Sequence, residues 1–161
     1  MNYCPLCKSD LQFSKVDNKN RLSCSSKTCT FVHWDNPIPV VAAIVQKEDM
    51  VVLARNHLWE KDKFALIAGF LEKDETPKLA ILREIKEELG VEGEIVEEVG
   101  HYSFFEKNQI LFVFHVIVSG EIVLNEELAE IKLVSPDKLK PWSKGTGPAV
   151  RDWLARRTNN R

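Results

Sequence analysis

Hydrophobic and polar positions divide the chain into two textures. Residues 1–36 are polar and short of apolar runs, whereas "NPIPVVAAIVQ", from Asn36, sets two prolines before a continuous apolar stretch. That stretch predicts a buried strand from about Pro39 to Gln46. "KED" turns the chain, and "MVVLAR" (Met50 to Arg55) predicts its antiparallel partner. The loop "NHLWEKDK" then leads to a short strand, "FALIA", that ends at Gly69. Further strand-like runs fall at Glu94 to Val99, His101 to Phe105 and Ile110 to Val118, followed by a short "EIKLV". "GPAVRDWLARR" predicts a closing amphipathic helix with Pro148 in its first turn. Strands interleaved with two helices imply an α/β fold, a mixed sheet with helices packed on it.

The first helix carries the most information. Thr76 suits an N-cap, Pro77 the first helical position, and Gly90 a C-terminal stop. At about 100° per residue from Leu79, residues Leu82, Ile85, Ile81 and Leu89 fall at roughly 200–300°, a buried stripe. Glu87, Glu84 and Glu88 fall at roughly 80°, 140° and 180°, and small Ala80 shares their arc at about 100°. Three carboxylates therefore converge near the end where a helix least favours negative charge.

That arrangement is costly on local grounds. Like charges at i,i+3 and i,i+4 cost about 0.2–0.5 kcal/mol per pair, and acids near a helix C-terminus oppose the macrodipole by about 0.3–1 kcal/mol each. A solvated acidic face is the simplest reading of three glutamates alone. A compensating cation is the other, and hard Mg²⁺ or Mn²⁺ prefers oxygen ligands and bridges carboxylates to phosphates.

Composition narrows the class. The 161 residues suffice for one compact domain plus a small module, with 44% hydrophobic and 29% charged residues arguing against a disordered or fibrous chain. A net charge of −2 gives no general pull toward nucleic acid or anionic membrane. No apolar run approaches the length of a membrane span, and "MNYCPLCKSD" has no signal-peptide character, so a cytoplasmic protein without a membrane partner is expected.

In a reducing compartment Cys4, Cys7, Cys24 and Cys29 point to metal rather than disulfides. Their spacing, C-x2-C, sixteen residues, then C-x4-C, lets two turns each supply two thiolates across a hairpin. A segment this short cannot build a sufficient core, so structural Zn²⁺ would supply its folding energy. The expected organisation is a zinc ribbon over residues 1–36 and a second domain over 37–161.

The full pattern around the acidic helix is Gly69, five residues, Glu75, seven residues, then Arg83-Glu84-Ile85-Lys86-Glu87-Glu88-Leu89-Gly90-Val91. It resembles the Nudix box without a departure, and background residue frequencies put a chance match at roughly 10⁻⁸ per start position. The resemblance implies a Nudix-type α/β/α sandwich and hydrolysis of nucleoside diphosphates linked to another group. It implies Glu84, Glu87 and Glu88 as ligands of Mg²⁺ or Mn²⁺, with the Gly69 carbonyl as a further ligand, and Glu75–Arg83 as an ion pair fixing loop to helix. Glu84 is the expected general base. Glu130 is expected to complete the site, with Glu127 as second choice. A homodimer is also implied.

The four cysteines, "LIAGFLE" and "KGTGPAVRDWL" extend the likeness to the NADH pyrophosphatase branch, without that branch's large extra N-terminal domain. Where the branch carries S-Q-P-W-P-F-P-x-S, this chain reads "HYSFFEKNQ", His101 to Gln109. Phe104 and Phe105 are therefore the expected substrate-stacking residues. For Phe31, Trp34 and Trp59 packing is favoured over stacking on an adenine, Trp142 and Trp153 are read as packing residues, and His115 as a satisfied half-buried side chain. The leading reading is metal-dependent cleavage of an ADP-ribose- or NADH-type nucleotide. The alternatives are removal of a nucleotide cap from RNA, which needs a basic groove, and a non-catalytic nucleotide-sensing module whose ribbon binds a partner.

Overall fold

A computed structural model describes residues 1–159. The chain separates into two compact units, Met1–Asn36 and Pro37–Arg161.

The first unit is a small antiparallel sheet in the order β1 (Leu11–Val16), β2 (Lys19–Cys24) and β3 (Val32–His33). Two tight turns carry the cysteines. Lys8 adopts the left-handed conformation and its N–H closes on the Cys4 carbonyl, while the Ser26 N–H points at the Cys24 sulfur. The four sulfur atoms lie within 4.8 Å of one another. Buried side chains are few here, Cys4 and Ser23 among them, so this unit has almost no apolar core. The cluster is what a small zinc ribbon requires.

The second unit is built on β4 (Ile38–Lys47), whose Val41 to Val45 are all completely buried. Apolar side chains on both faces of one strand mean that both faces of the sheet are covered. β4 pairs antiparallel with β5 (Met50–Asn56) and β6 (Ile67–Phe70), and parallel with β8 (Gln109–Val118). β7 (Gly93–Phe104) borders β8, and β9 (Leu128–Val134) borders β5. The order is β7-β8-β4-β5-β9, with β6 alongside the first half of β4.

Helix α1 (Pro77–Leu89) lies on the face of Val41, Ala43 and Val45, with Ile81, Ile85 and Leu89 fully buried. Helix α2 (Gly147–Asn159) lies on the face of Val40, Ala42 and Ile44. This is the α/β/α sandwich. Trp153 on α2 is 1% exposed, with its ring edge-on to His115 at 5.1 Å. His115 is bonded to the Gln46 side chain at 3.0 Å, and burial lowers its pKa, which keeps it neutral. No helix among the described residues is long and apolar enough to cross a membrane.

Two sequence expectations change. The runs at 94–99 and 101–105 are one strand, β7, carrying bulges between Ile95 and Glu97 and between Glu98 and Gly100. Gly100 (φ 152°) absorbs the second irregularity, so a residue that reads as a break is a bend within the strand. Trp34 and Trp59 are 47% and 41% exposed, not packed as the sequence suggests.

Trp153→Ala should destabilise the second unit by about 3–5 kcal/mol, as truncation of a buried aromatic does. Urea denaturation followed by circular dichroism measures the loss.

Candidate active site

The acidic end of α1 takes its shape from both ends of the helix. Thr76, extended at φ −89°, accepts the Leu79 N–H on its side chain, and Pro77 opens the helix. Gly90, left-handed at φ 69°, closes it with an N–H to the Lys86 carbonyl. Between these caps Glu84 turns toward β6. A methyl group on Gly69 would overlap the Glu84 carboxylate, so the glycine is required by close approach and not by its own backbone angles. Ala80, one turn before Glu84, is completely buried and the Glu84 side chain is 13% exposed, whereas that of Glu87 is 55% exposed, so the acidic stripe runs from a seam against the sheet out to solvent.

Arg83 ties the cluster together. Its Nε and Nη2 donate to the two oxygens of Glu75 (3.1 and 2.8 Å), and Nη2 also reaches the Phe70 carbonyl at 3.1 Å. Nη1 donates to Glu84 at 2.8 Å and Glu87 at 3.1 Å. All five N–H groups of the guanidinium thus meet an acceptor. Glu75 also accepts the Glu72 backbone N–H at 2.7 Å, fixing the loop that joins β6 to α1. The hydrogen bonds from Arg83, then that from Glu72, hold the Glu75 carboxyl below its ordinary pKa.

The remaining acids are strained electrostatically. Burial raises the Glu84 pKa against the opposing pull of Arg83, and the charges of Glu87 and Glu127 raise it further. Glu88 is pushed up to about 8, first by burial and then by Glu84, Glu127 and Glu87. A cation among these oxygens would relieve both effects. The donor set, carboxylate oxygens, suits a hard dication such as Mg²⁺ or Mn²⁺.

The later carboxylate differs from the first choice made on sequence. Glu130 pairs with Arg55 at 2.8 Å, and its strand register with Arg55 places it on the α2 side of the sheet. The register slips between Arg55 and Asn56, so the extra residue Ala129 returns Leu128 to the α1-side core. Glu127 lies before that bulge. The Asn125 side chain accepts the N–H groups of Glu127 and Leu128, and the loop is sewn to the end of α1 by Val123 N–H to Leu89 O and Asn125 N–H to Glu88 O. Glu127, the second choice, is therefore the acid whose charge reaches Glu84 and Glu88. An Asn two residues ahead of the acid was the available signal for that turn.

Phe104 and Phe105 are not brought to the carboxylates. Phe104 packs into the α2-side cluster and lies against Gly145, while Phe105 is 86% exposed in a short 3₁₀ turn. On the α1 side, register aligns His101, Phe112, Val41 and Gly69 in one row across β7, β8, β4 and β6. His101 stands edge-on to Phe112 at 4.9 Å and bonds Glu98 at 2.6 Å.

In the first unit, Cys4 and Cys29 are 3.7 Å apart and Cys7 and Cys24 are 3.4 Å apart. Hydrogen bonds from Ser9 lower the Cys7 thiol to about 6. At Cys24 the Ser26 N–H favours the thiolate, but desolvation and the neighbouring thiols together raise it to about 12. Four thiolates side by side need a soft cation to coexist.

Fold and site define a class: an α/β/α sandwich that gathers carboxylates at the end of one helix against a strand glycine. The chain belongs to the Nudix family, whose model, described as NUDIX domain, matches residues 36–155. Among relatives, the "NAD-capped RNA hydrolase NudC" of Vibrio vulnificus (strain CMCP6) is 27% identical over 143 residues, 88% of this chain and 53% of that protein. The protein of the same name from Pseudomonas aeruginosa (strain LESB58) is 29% identical over 141 residues, 86% of this chain and 49% of that one. The chain thus spans about half the length of those relatives. A NUDIX hydrolase from Nitrosomonas europaea shares the fold over 100% of this chain and 94% of its own, with TM-score 0.83 and 23% identity. An ADP-ribose pyrophosphatase from Streptococcus suis 89-1591 does so over 76% and 92%, with TM-score 0.62 and 21% identity.

The Glu88 shift fixes the sign of a pH dependence. Its folded pKa of about 8 lies above the ordinary 4.5, so between those values the folded state holds a proton that the unfolded state has lost. Metal-free protein should therefore lose stability as pH rises through that window. Glu88→Gln should flatten the decline, read as melting temperature against pH in the presence of chelator.

Proposed function

We propose that this chain hydrolyses the diphosphate linkage of a nucleoside diphosphate derivative, of ADP-ribose or NADH type, with Mg²⁺ or Mn²⁺. The observation that supports the reading is that Glu84 lies against Gly69, shares Arg83 with Glu87 and Glu75, and acts with Glu87 on Glu88 through their charges. Glu84, Glu87 and Glu88, with the Gly69 carbonyl, are the assigned dication ligands. Glu127 replaces Glu130 as the further carboxylate. When bound, the cation supplies charge neutralisation at the diphosphate and lowers the pKa of a water. Arg83 and Glu75 are positioning residues that hold the loop and the helix in register. Glu84 is assigned the proton acceptor; Arg83 holds its Oε1. Phe112 and His101, in the same strand row as Gly69, are the side chains assigned to the nucleoside half, in place of Phe104 and Phe105.

The printed names of the relatives favour a second substrate of the same chemistry, the NAD cap of an RNA. The bond cleaved would be the same. Cys4, Cys7, Cys24 and Cys29 are the assigned ligands of one structural Zn²⁺, and a cytoplasmic address fits the reducing environment that keeps these thiols from pairing as disulfides; a homodimer is the assigned assembly.

A phosphatase-coupled screen with each cation over ADP-ribose, NADH, nucleotide sugars and NAD-capped RNA tests the activity. Release of phosphomonoester is expected, and Glu87→Gln should lower kcat by about 10²- to 10³-fold with the fold retained. No turnover by the unaltered protein on any substrate would leave the sensing-module reading standing.

Metal analysis should find one zinc per chain. Cys4→Ser should lose it and increase hydrogen exchange across residues 1–36, with the second unit unaffected.

A further inference from the structure

The first unit contains a recess that the hydrolase reading does not use. It measures about 310 Å³, and its lining includes Phe13, Lys19, Arg21, His33, Trp34 and Asp35. Register places Phe13 on β1 opposite Leu22 on β2, and Leu22 opposite His33 on β3, so these three side chains share one face. Phe13 is 71% exposed. Trp34, 47% exposed, is a second aromatic ring beside it that a small domain would ordinarily hide.

Charge selects the occupant. Residues 1–36 carry five Lys or Arg against three Asp, while the rest of the chain carries 17 Lys or Arg against 21 Asp or Glu. The first unit is therefore the positively charged part of the protein, and two of its five cations, Lys19 and Arg21, line the recess. Arg21 lies over the Trp34 indole with its guanidinium carbon 4.7 Å from the ring centroid, and its Nη1 donates to the Trp34 carbonyl at 2.7 Å. Its buried Nε has no hydrogen-bond acceptor among the described residues. Lys19 stands at the rim. Asp35, 3.8 Å from the His33 ring nitrogen, is the one acid in the lining. Exposed aromatic rings next to cations are the elements of single-strand recognition: bases stack on rings, and Lys and Arg meet the phosphates. A carboxylate at the rim suits the exocyclic amine of a base and opposes a continuous run of phosphates, which favours a short segment of strand. A peptide of acidic residues would bring no flat partner for the rings.

We propose that this recess on the ribbon sheet binds a short stretch of single-stranded nucleic acid by stacking on Phe13 and Trp34. The site lies outside the carboxylate cluster and is independent of the hydrolase reading. The test uses the full zinc-loaded chain, without Mg²⁺ or Mn²⁺, titrated into a fluorescein-labelled single-stranded RNA 12-mer bearing no cap. The anisotropy should rise, and the affinity for a matched duplex should be lower. Phe13→Ala and Trp34→Ala should each weaken binding by about 5- to 100-fold. Lys19→Ala should reduce the salt slope by about 0.7. Phe13→Leu keeps the apolar bulk and removes the ring, and should match Phe13→Ala; zinc content checks that each variant remains folded. ADP-ribose turnover should be unchanged in all four. The proposal is overturned if the 12-mer does not bind, or if the ring variants bind it as the original does. Equal binding of the duplex or of an acidic peptide also overturns it, as does a ring-dependent shift from dimer to monomer without loss of RNA. Absence of turnover with RNA binding intact would count against the hydrolase reading alone.

Discussion

One guanidinium holds the site together. Arg83 satisfies two oxygens of Glu75, one each of Glu84 and Glu87, and the Phe70 carbonyl, and in doing so joins strand, loop and helix. A lysine could not replace it, since one ammonium cannot meet acceptors in these several directions. Without it, three carboxylates in the last two turns of α1 would repel one another and oppose the helix dipole with nothing to offset them. Yet the clamp is incomplete. Glu88 has no share in it and stays desolvated beside its neighbours, with its pKa raised to about 8. The frame is thus stable enough to fold with the acids in place while retaining an unmet demand for positive charge at one end.

The sheet makes this asymmetry affordable. Glu84 can approach the sheet only because position 69 has no side chain, and position 69 is held there by pairing with the fully buried Val41. Burial on both faces of β4 fixes its register, because a slip by one residue would exchange the α1 and α2 cores. The frame is thus held in register where the acids stand, and both adjoining loops are tied to it, 71–76 through Glu75 and the stretch from Gly120 to Glu127 through its hydrogen bonds to the end of α1.

Local features were legible in the sequence. The limits of α1 follow from Thr76, Pro77 and Gly90, whose roles depend only on near neighbours, and the buried strand at β4 follows from an unbroken apolar run. Features set by pairing were not. The bulge at Ala129 moves Glu130 to the far side of the sheet and leaves Glu127 near α1, and nothing in "EELAEIKLV" marks which residue is left unpaired. Phe104 was misplaced for a related reason. Strand alternation after the Gly100 irregularity decides its side, and that count begins from a bulge. Ala80 shares the arc of the glutamates on the helical wheel, but only packing shows that this arc is buried at Ala80 and Glu84 and open at Glu87.

The two units meet the same electrostatic problem with different chemistry. Each gathers like-charged donors closer than they would settle alone, sulfur in the first and oxygen in the second. Soft thiolates in a closed set of four favour zinc and leave no open position, whereas carboxylates at a helix end favour a hard dication and leave room for phosphate oxygens. Donor softness therefore sorts the metals, so that a cation suited to one cluster is poorly matched to the other. The first unit has almost no apolar core, so in the proposed reading a cation held by its four cysteines would contribute to its folding. The second has its core already, in the residues buried on both faces of β4, so a cation at its carboxylates would not be needed for folding.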